Sequence, residues 1–116
     1  LELRFLAKLR VQNPNSQILT YEGVSLELDL RGQRFASGVA PLAGQIPAFG
    51  EAVLEVPVSV SGFTIARQVL DLVRQAEAGN RVERVAYELR GKLGGAGLGG
   101  TGFGTSGEID LSGLAR

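Results

Sequence analysis

Cysteine, histidine, methionine and tryptophan are all missing from the 116 residues. Without cysteine there is no disulfide framework, no thiol nucleophile and no thiolate metal site, and the compartment stays open on that count. Without histidine the commonest general base near neutral pH is gone, and so is the commonest metal ligand. Any chemistry would fall to carboxylate, lysine, tyrosine or serine groups. An excess of one charge is lacking too. Twelve basic and twelve acidic residues cancel, with no basic cluster, which argues against a nucleic-acid partner, whose binders concentrate positive charge on one face. Lysine is scarce, Lys8 and Lys92 standing among arginines, a bias that points to a GC-rich bacterial source. No apolar run approaches the roughly 18 to 20 residues of a membrane span, which predicts a soluble piece. Leu1 already sits on a strand pattern, which predicts an excised or processed domain with any signal peptide or lipid anchor upstream.

What is present reads as one β-rich domain over 1–116, long enough to bury roughly 65% of its unfolded surface. Leu3, Phe5, Ala7, Leu9 and Val11 alternate with polar residues as a strand with one wet face. Asn13-Pro14-Asn15-Ser16 stops it, and a loop runs through Gln17 to Glu22. Val24 to Leu30 alternates most cleanly. Arg31-Gly32-Gln33 is a tight-turn candidate into a weaker strand, Arg34 to Val39, where Phe35 and Val39 are the expected buried members. Gly38 there implies a bulge or a close backbone approach. Pro41 to Gln45 reads as a loop. Ile46-Pro47-Ala48-Phe49-Gly50 then opens a Val-rich strand, Ala52 to Val60. Pro57 falls inside it and predicts a sheet edge or a bulge, since proline cannot donate to a ladder.

Between Phe63 and Gly79 the period changes. Ile65, Val69, Leu72, Val73 and Ala76 predict an amphipathic helix over 64–78, with Thr64 as N-cap, Gly79-Asn80 as stop and its apolar stripe facing the core. Val85 to Leu93 is a further strand. A glycine-dense connection follows over 94–107, and Phe103 to Leu111 holds the last strand. One-sided strands at short spacing predict an antiparallel β-sandwich with one inserted helix.

No pattern for a reaction stands out. Gly95, Gly97 and Gly100 satisfy G-x-G-x-x-G after a strand, but no helix follows to receive a pyrophosphate and no acidic residue stands about 20 positions on. They read as a hairpin loop, and no cofactor is expected. Glu27 with Asp29, and Glu108 with Asp110, lie at i, i+2 on assigned solvent faces, where a carboxylate keeps its ordinary behaviour. No metal site is expected. Tyr21, Tyr87 and the five Phe residues are too scattered for a base-stacking platform.

Five short pieces, in order, carry a resemblance. They are Asn13-Pro14-Asn15 after a one-sided strand, Gly38, the Ile46-Pro47-Ala48-Phe49-Gly50 segment, Tyr87-Glu88-Leu89-Arg90-Gly91-Lys92-Leu93 and Gly107-Glu108-Ile109-Asp110-Leu111. Together they resemble the late-embryogenesis-abundant type 2 family, with its water-stress and hypersensitive-response domain. The resemblance implies a sandwich of about seven strands, immunoglobulin- or fibronectin type III-like, and no enzyme. It implies a role in desiccation, cold or water stress, with partly unfolded client proteins or a membrane surface as non-specific partners. It also implies a place in the bacterial cell envelope, periplasmic or lipid-anchored. No catalytic residues transfer; Asn13, Pro14, Asn15, Gly38, Ile46, Pro47, Gly50, Tyr87, Gly91 and Gly107 are motif positions expected to be structural. An envelope binding or assembly module recognising a protein or lipid is the other expectation.

Overall fold

The computed structural model describes residues 1–79, 84–95 and 98–110. In chain order the elements are β1 (Glu2–Gln12), β2 (Leu19–Tyr21), β3 (Gly23–Leu30), β4 (Gln33–Ala40), β5 (Gly44–Ile46), β6 (Glu51–Ser61), α1 (Gly62–Glu77), β7 (Arg84–Gly95) and β8 (Leu98–Asp110). The architecture is mainly β and antiparallel, consistent with a sandwich. A six-stranded sheet in the order β1-β6-β4-β3-β7-β8 curls into a half-barrel, and β2 pairs with β5 in a second small sheet. Both sheets feed one core. Val11, Val24, Leu26, Leu54, Val56 and Val60 come from the large sheet, and Tyr21 and Ile46 from the small one.

The strands form where alternation places one apolar face inward. The match is closest in β3, where Val24 and Leu26 are buried and Leu28 and Leu30 half-buried. Arg31 and Gly32, both at positive φ (54° and 78°), form the two-residue turn between β3 and β4, the combination that matches strand twist in a hairpin. Register slips in this hairpin. Leu28 pairs with Ala36 but Asp29 with Arg34, so Phe35 is an extra residue. A one-residue bulge exchanges the faces of a strand. In consequence Ala36 and Ala40 are buried and Val39, expected inside, is 81% exposed, while Phe35, the other expected member, is half-buried against the core.

Several expectations are corrected. Leu19–Tyr21 and Gly44–Ile46, each of three residues, are too short to show a period, so both read as loop. The last strand starts at Leu98, not Phe103, and most of the glycine-dense segment is ladder; Leu111 lies outside the described residues. Strand β6 is not at an edge. It lies between β1 and β4, but its only bridge to β4 is Ser37↔Ser59, so Pro57 sits where that ladder is nearly absent and its missing N–H costs little.

Helix α1 begins two residues before the predicted start. Ser61, not Thr64, is its N-cap, its hydroxyl accepting from the Phe63 N–H at 3.2 Å. The apolar stripe does not face the core. At about 100° per residue, half-buried Thr64, Gln68, Asp71, Leu72 and Gln75 mark the side nearest the sheet, and Phe63, Ala66, Val69, Leu70 and Val73 point away. No helix residue is fully buried, and Ile65 alone packs against the core cluster. Among the described residues no helix is long and apolar enough to cross a membrane. Of the predicted stop Gly79-Asn80, Gly79 follows the C-cap Ala78 at φ 85° and its N–H donates to the Ala76 carbonyl at 3.1 Å; Asn80 lies outside the described residues.

Candidate functional site

Six of the motif positions, Asn13, Pro14, Asn15, Ile46, Pro47 and Gly50, gather at the junction of the two sheets. Asn13 follows β1 directly and is 1% exposed, the one buried polar residue of the described core. Its backbone N–H donates to the Gly50 carbonyl at 2.8 Å, which adds a rung beyond the Gln12↔Glu51 pair that ends the β1–β6 ladder. Its side-chain carbonyl accepts from the Asn15 N–H at 3.0 Å, closing a turn over Pro14. Its amide nitrogen meets three carbonyls, those of Gln17 at 2.8 Å, Pro47 at 3.1 Å and Ile46 at 3.2 Å. Two amide hydrogens serve three acceptors, so one is shared. Because Ile46 ends β5, this side chain stitches the small sheet to the large one. Asn13 makes the side-chain bonds of this turn, and its reach across more than thirty residues is invisible to local pattern.

The second half of the junction is the turn Pro47-Ala48-Phe49-Gly50, closed by the Gly50 N–H on the Pro47 carbonyl at 2.9 Å. Its third position needs positive φ, which usually calls for glycine or asparagine. Phe49 occupies it at φ 56° and is 74% exposed. Its N–H donates to the Asn15 carbonyl at 3.1 Å, so the two motif segments hold each other. A bulky residue in the left-handed region is strained by roughly 1 kcal/mol or more. Phe49→Gly should therefore raise stability by about 0.5–1 kcal/mol, read as a higher denaturant midpoint at unchanged slope. A lower midpoint would mean that the ring packs usefully against its surroundings.

Gly38, Gly91 and Gly107 are explained by close approach. A Cβ on Gly38 would stand 2.1 Å from the Pro57 carbonyl oxygen, so this is the close approach and the bulge is at Phe35. On β7 and β8, Gly91 pairs with Phe103 and Gly107 with Tyr87. A Cβ at Gly91 would meet the Phe103 ring at 2.2 Å, and one at Gly107 the Tyr87 ring and hydroxyl at 3.0–3.2 Å. The small sheet repeats the device, since Gly44 faces Tyr21. An aromatic lying across a glycine fills the gap left by the missing side chain.

The outward carboxylates are engaged in an ion-pair network. Arg34 donates to Asp29 and to Glu27, each at 2.8 Å, while Arg90 donates to Asp29 at 2.9 Å and to Glu88 at 2.8 Å. The Arg34 hydrogen bond, with help from Arg90, holds the Asp29 carboxyl below the usual range, and the hydrogen bond to Glu88 raises the Arg90 guanidinium. A carboxylate pinned in its ionised form is a poor proton donor near neutrality. Glu108 and Asp110 stand at the far end of β8, opposite Ala86 and Arg84. Among the described residues no group of three or more acidic residues could hold a metal. Of the glycine triad, Gly95 ends β7 and Gly100 lies within β8, each at positive φ (98° and 94°); Gly97 lies outside the described residues.

Sequence pattern does not locate the space between the sheet edges. The curl brings β1 and β8 to face each other across a slot of about 530 Å³, lined by Lys8 to Gln12 and Pro14 on one side and Phe103 to Thr105 on the other, with Leu89 between. The signal is present in composition. Strand β8 has glycine at 99, 100, 102, 104 and 107 and no lysine, arginine or proline.

Comparison with known proteins places this geometry. The model of the late embryogenesis abundant protein family matches residues 8–107. A crystal structure of a protein from Archaeoglobus fulgidus is similar, with a TM-score of 0.60 at 12% identity, over 94% of this chain and 85% of that one. A solution structure of a protein from Arabidopsis thaliana gives a TM-score of 0.55 at 23% identity, over 93% of this chain and 70% of that one. At these identities the likeness is one of fold. No curated protein matches in sequence.

Proposed function

Because the chain belongs to the late embryogenesis abundant protein family, we propose that it is a non-catalytic, stress-protective domain that shields partly unfolded proteins as water is withdrawn. The observation that carries this reading is apolar surface left open in several separate places. Phe63, Val69, Leu70 and Val73 on α1, Leu3, Phe5 and Leu6 on β1, and Phe49 at its turn are all exposed by 40% or more. Scattered apolar contacts of this kind suit weak association with many clients, and a net charge of zero favours none of them by sign. The ion-paired carboxylates support the absence of catalysis.

Drying tests the reading. A dehydration-sensitive enzyme dried with this domain should recover clearly more activity than with an equal mass of an inert, net-neutral sandwich. Recovery equal to that control would sink the protective role.

The α1 face favours a second reading, an envelope module that recognises a protein or lipid partner. Large exposed apolar patches mark such sites. The stripe is flanked by Arg67, Asp71, Arg74 and Glu77, which cancel, so attraction to anionic lipid would be weak and burial would have to drive association. Co-sedimentation with neutral vesicles, lost in Leu70→Glu, together with no protection on drying, would select this reading.

A further inference from the structure

We propose that the slot between β1 and β8 receives an extended segment of a partly unfolded protein, which adds to the free edge of β8 as a further strand. This rests on the protective reading and names the client chemistry that one site takes. Three observations lead there. Among the described residues β8 pairs only with β7, so along Phe103–Thr105, where it lines the slot, its other side has no strand partner. Natural edges are blunted by lysine, proline or a covering element. Over its length β8 has neither of those residues. The opposite edge differs, since β1 has Lys8 and Arg10 in the slot and is followed by Pro14.

The slot also has a side-chain preference. Leu9, Val11, Leu89 and Phe103 give it an apolar floor, half-buried apart from the buried Val11. The alternate side chains of an added strand would lie against that floor. Lys8 and Arg10 are its charged residues, and no acidic residue lines it. Arg10 is engaged by Glu51 at 3.8 Å, and Lys8, opposite Glu55 in the β1–β6 ladder, is exposed on the same face of β1 and lines the slot. An extended segment with apolar residues at every second position and acidic ones between complements both features. Antiparallel addition to β8 gives the better ladder.

The test uses a labelled ten-residue peptide alternating valine and glutamate, with binding followed by fluorescence anisotropy. Two control peptides replace glutamate by lysine, or alternate valines by proline, which removes ladder donors. The whole chain should bind the first peptide at least about ten-fold more tightly than either control. Thr105→Lys places a blocking charge on the exposed β8 edge. It should weaken binding about ten-fold or more at an unchanged melting temperature. Lys8→Glu should reverse the preference towards the lysine peptide, which keeps the proposal testable if Thr105→Lys disturbs the fold. Equal binding of the proline peptide, indifference to both variants, or no binding would overturn it. A concentration-dependent dimer lost in Thr105→Lys would also overturn it, by assigning the edge to a second copy. The drying assay separates the two levels. Protection without peptide binding would remove the slot and keep the protective function; peptide binding without protection would do the opposite.

Discussion

Replacing Gly38 with alanine is expected to destabilise the domain by about 3 kcal/mol or more, lowering its melting temperature by about 12 °C. The added methyl would stand 2.1 Å from the Pro57 carbonyl oxygen and 3.1 Å from the Pro57 carbonyl carbon and the Val58 Cα. All three are backbone atoms, so no rotamer change relieves the clash. Relief requires β4 and β6 to part, and they part at the seam where Ser37↔Ser59 is the only bridge. Val56, Val58 and Val60 of β6 and Ala36 and Ala40 of β4 are core members that such a separation would expose. Gly94→Ala is the matched control, because a Cβ there meets nothing within 4 Å. It should change stability by no more than about 0.5 kcal/mol. A Gly38→Ala protein with the melting temperature of the parent would show that the seam is looser than the structure describes.

Asn13→Ala carries the second largest effect, a loss of about 2–4 kcal/mol. The substitution removes the donor shared by the Gln17, Ile46 and Pro47 carbonyls and the acceptor of the Asn15 N–H, at a site with 1% exposure. Buried groups stripped of partners bear the full desolvation cost. Asn13→Asp sharpens the argument because it preserves shape. The new carboxylate would face carbonyl oxygens, which favours its protonated form and raises its folded-state pKa above the unfolded value of roughly 3.9. A group raised in the folded state contributes stability below the unfolded pKa and loses it as pH rises through the folded one. The Asn13→Asp variant should therefore gain stability relative to the parent on acidification, measured as the difference between their melting temperatures across pH 3 to 7. A difference independent of pH would mean that the side chain has swung out to water.

Element type is legible wherever alternation is strong and long. Strands β1, β3, β6 and β7 and helix α1 follow from their spacing, and the Arg31-Gly32 turn from its chemistry. Burial is less so. Leu3 and Phe5 have the right parity for the core yet are 40% and 53% exposed, because the outer end of β1 extends past the cover that reaches Val11. Phe35 is why β4 departs from its alternation: the bulge there is one residue in one strand, and nothing in Arg34-Phe35-Ala36-Ser37 marks it. Amphipathicity states which residues of α1 share a face, not which way the face turns, so a stripe expected at the core lies at the surface. What the motif residues touch is not legible. Asn13 to Ile46 and Gly38 to Pro57 are contacts between distant segments, and a single sequence carries no local sign of either.

The glycines facing aromatics bear on how this chain can change over time. Gly91 with Phe103, Gly107 with Tyr87 and Gly44 with Tyr21 are directly opposed pairs, and in each the two partners draw on one shared volume. Enlarging the glycine alone overfills that volume, and shrinking the aromatic alone empties it. Doing both at once can leave it conserved. Each pair is thus a unit of inheritance, whose single substitutions cost stability in opposite ways and whose double substitution recovers part of both losses. Drift along β7 and β8 should then proceed by linked exchanges across the ladder.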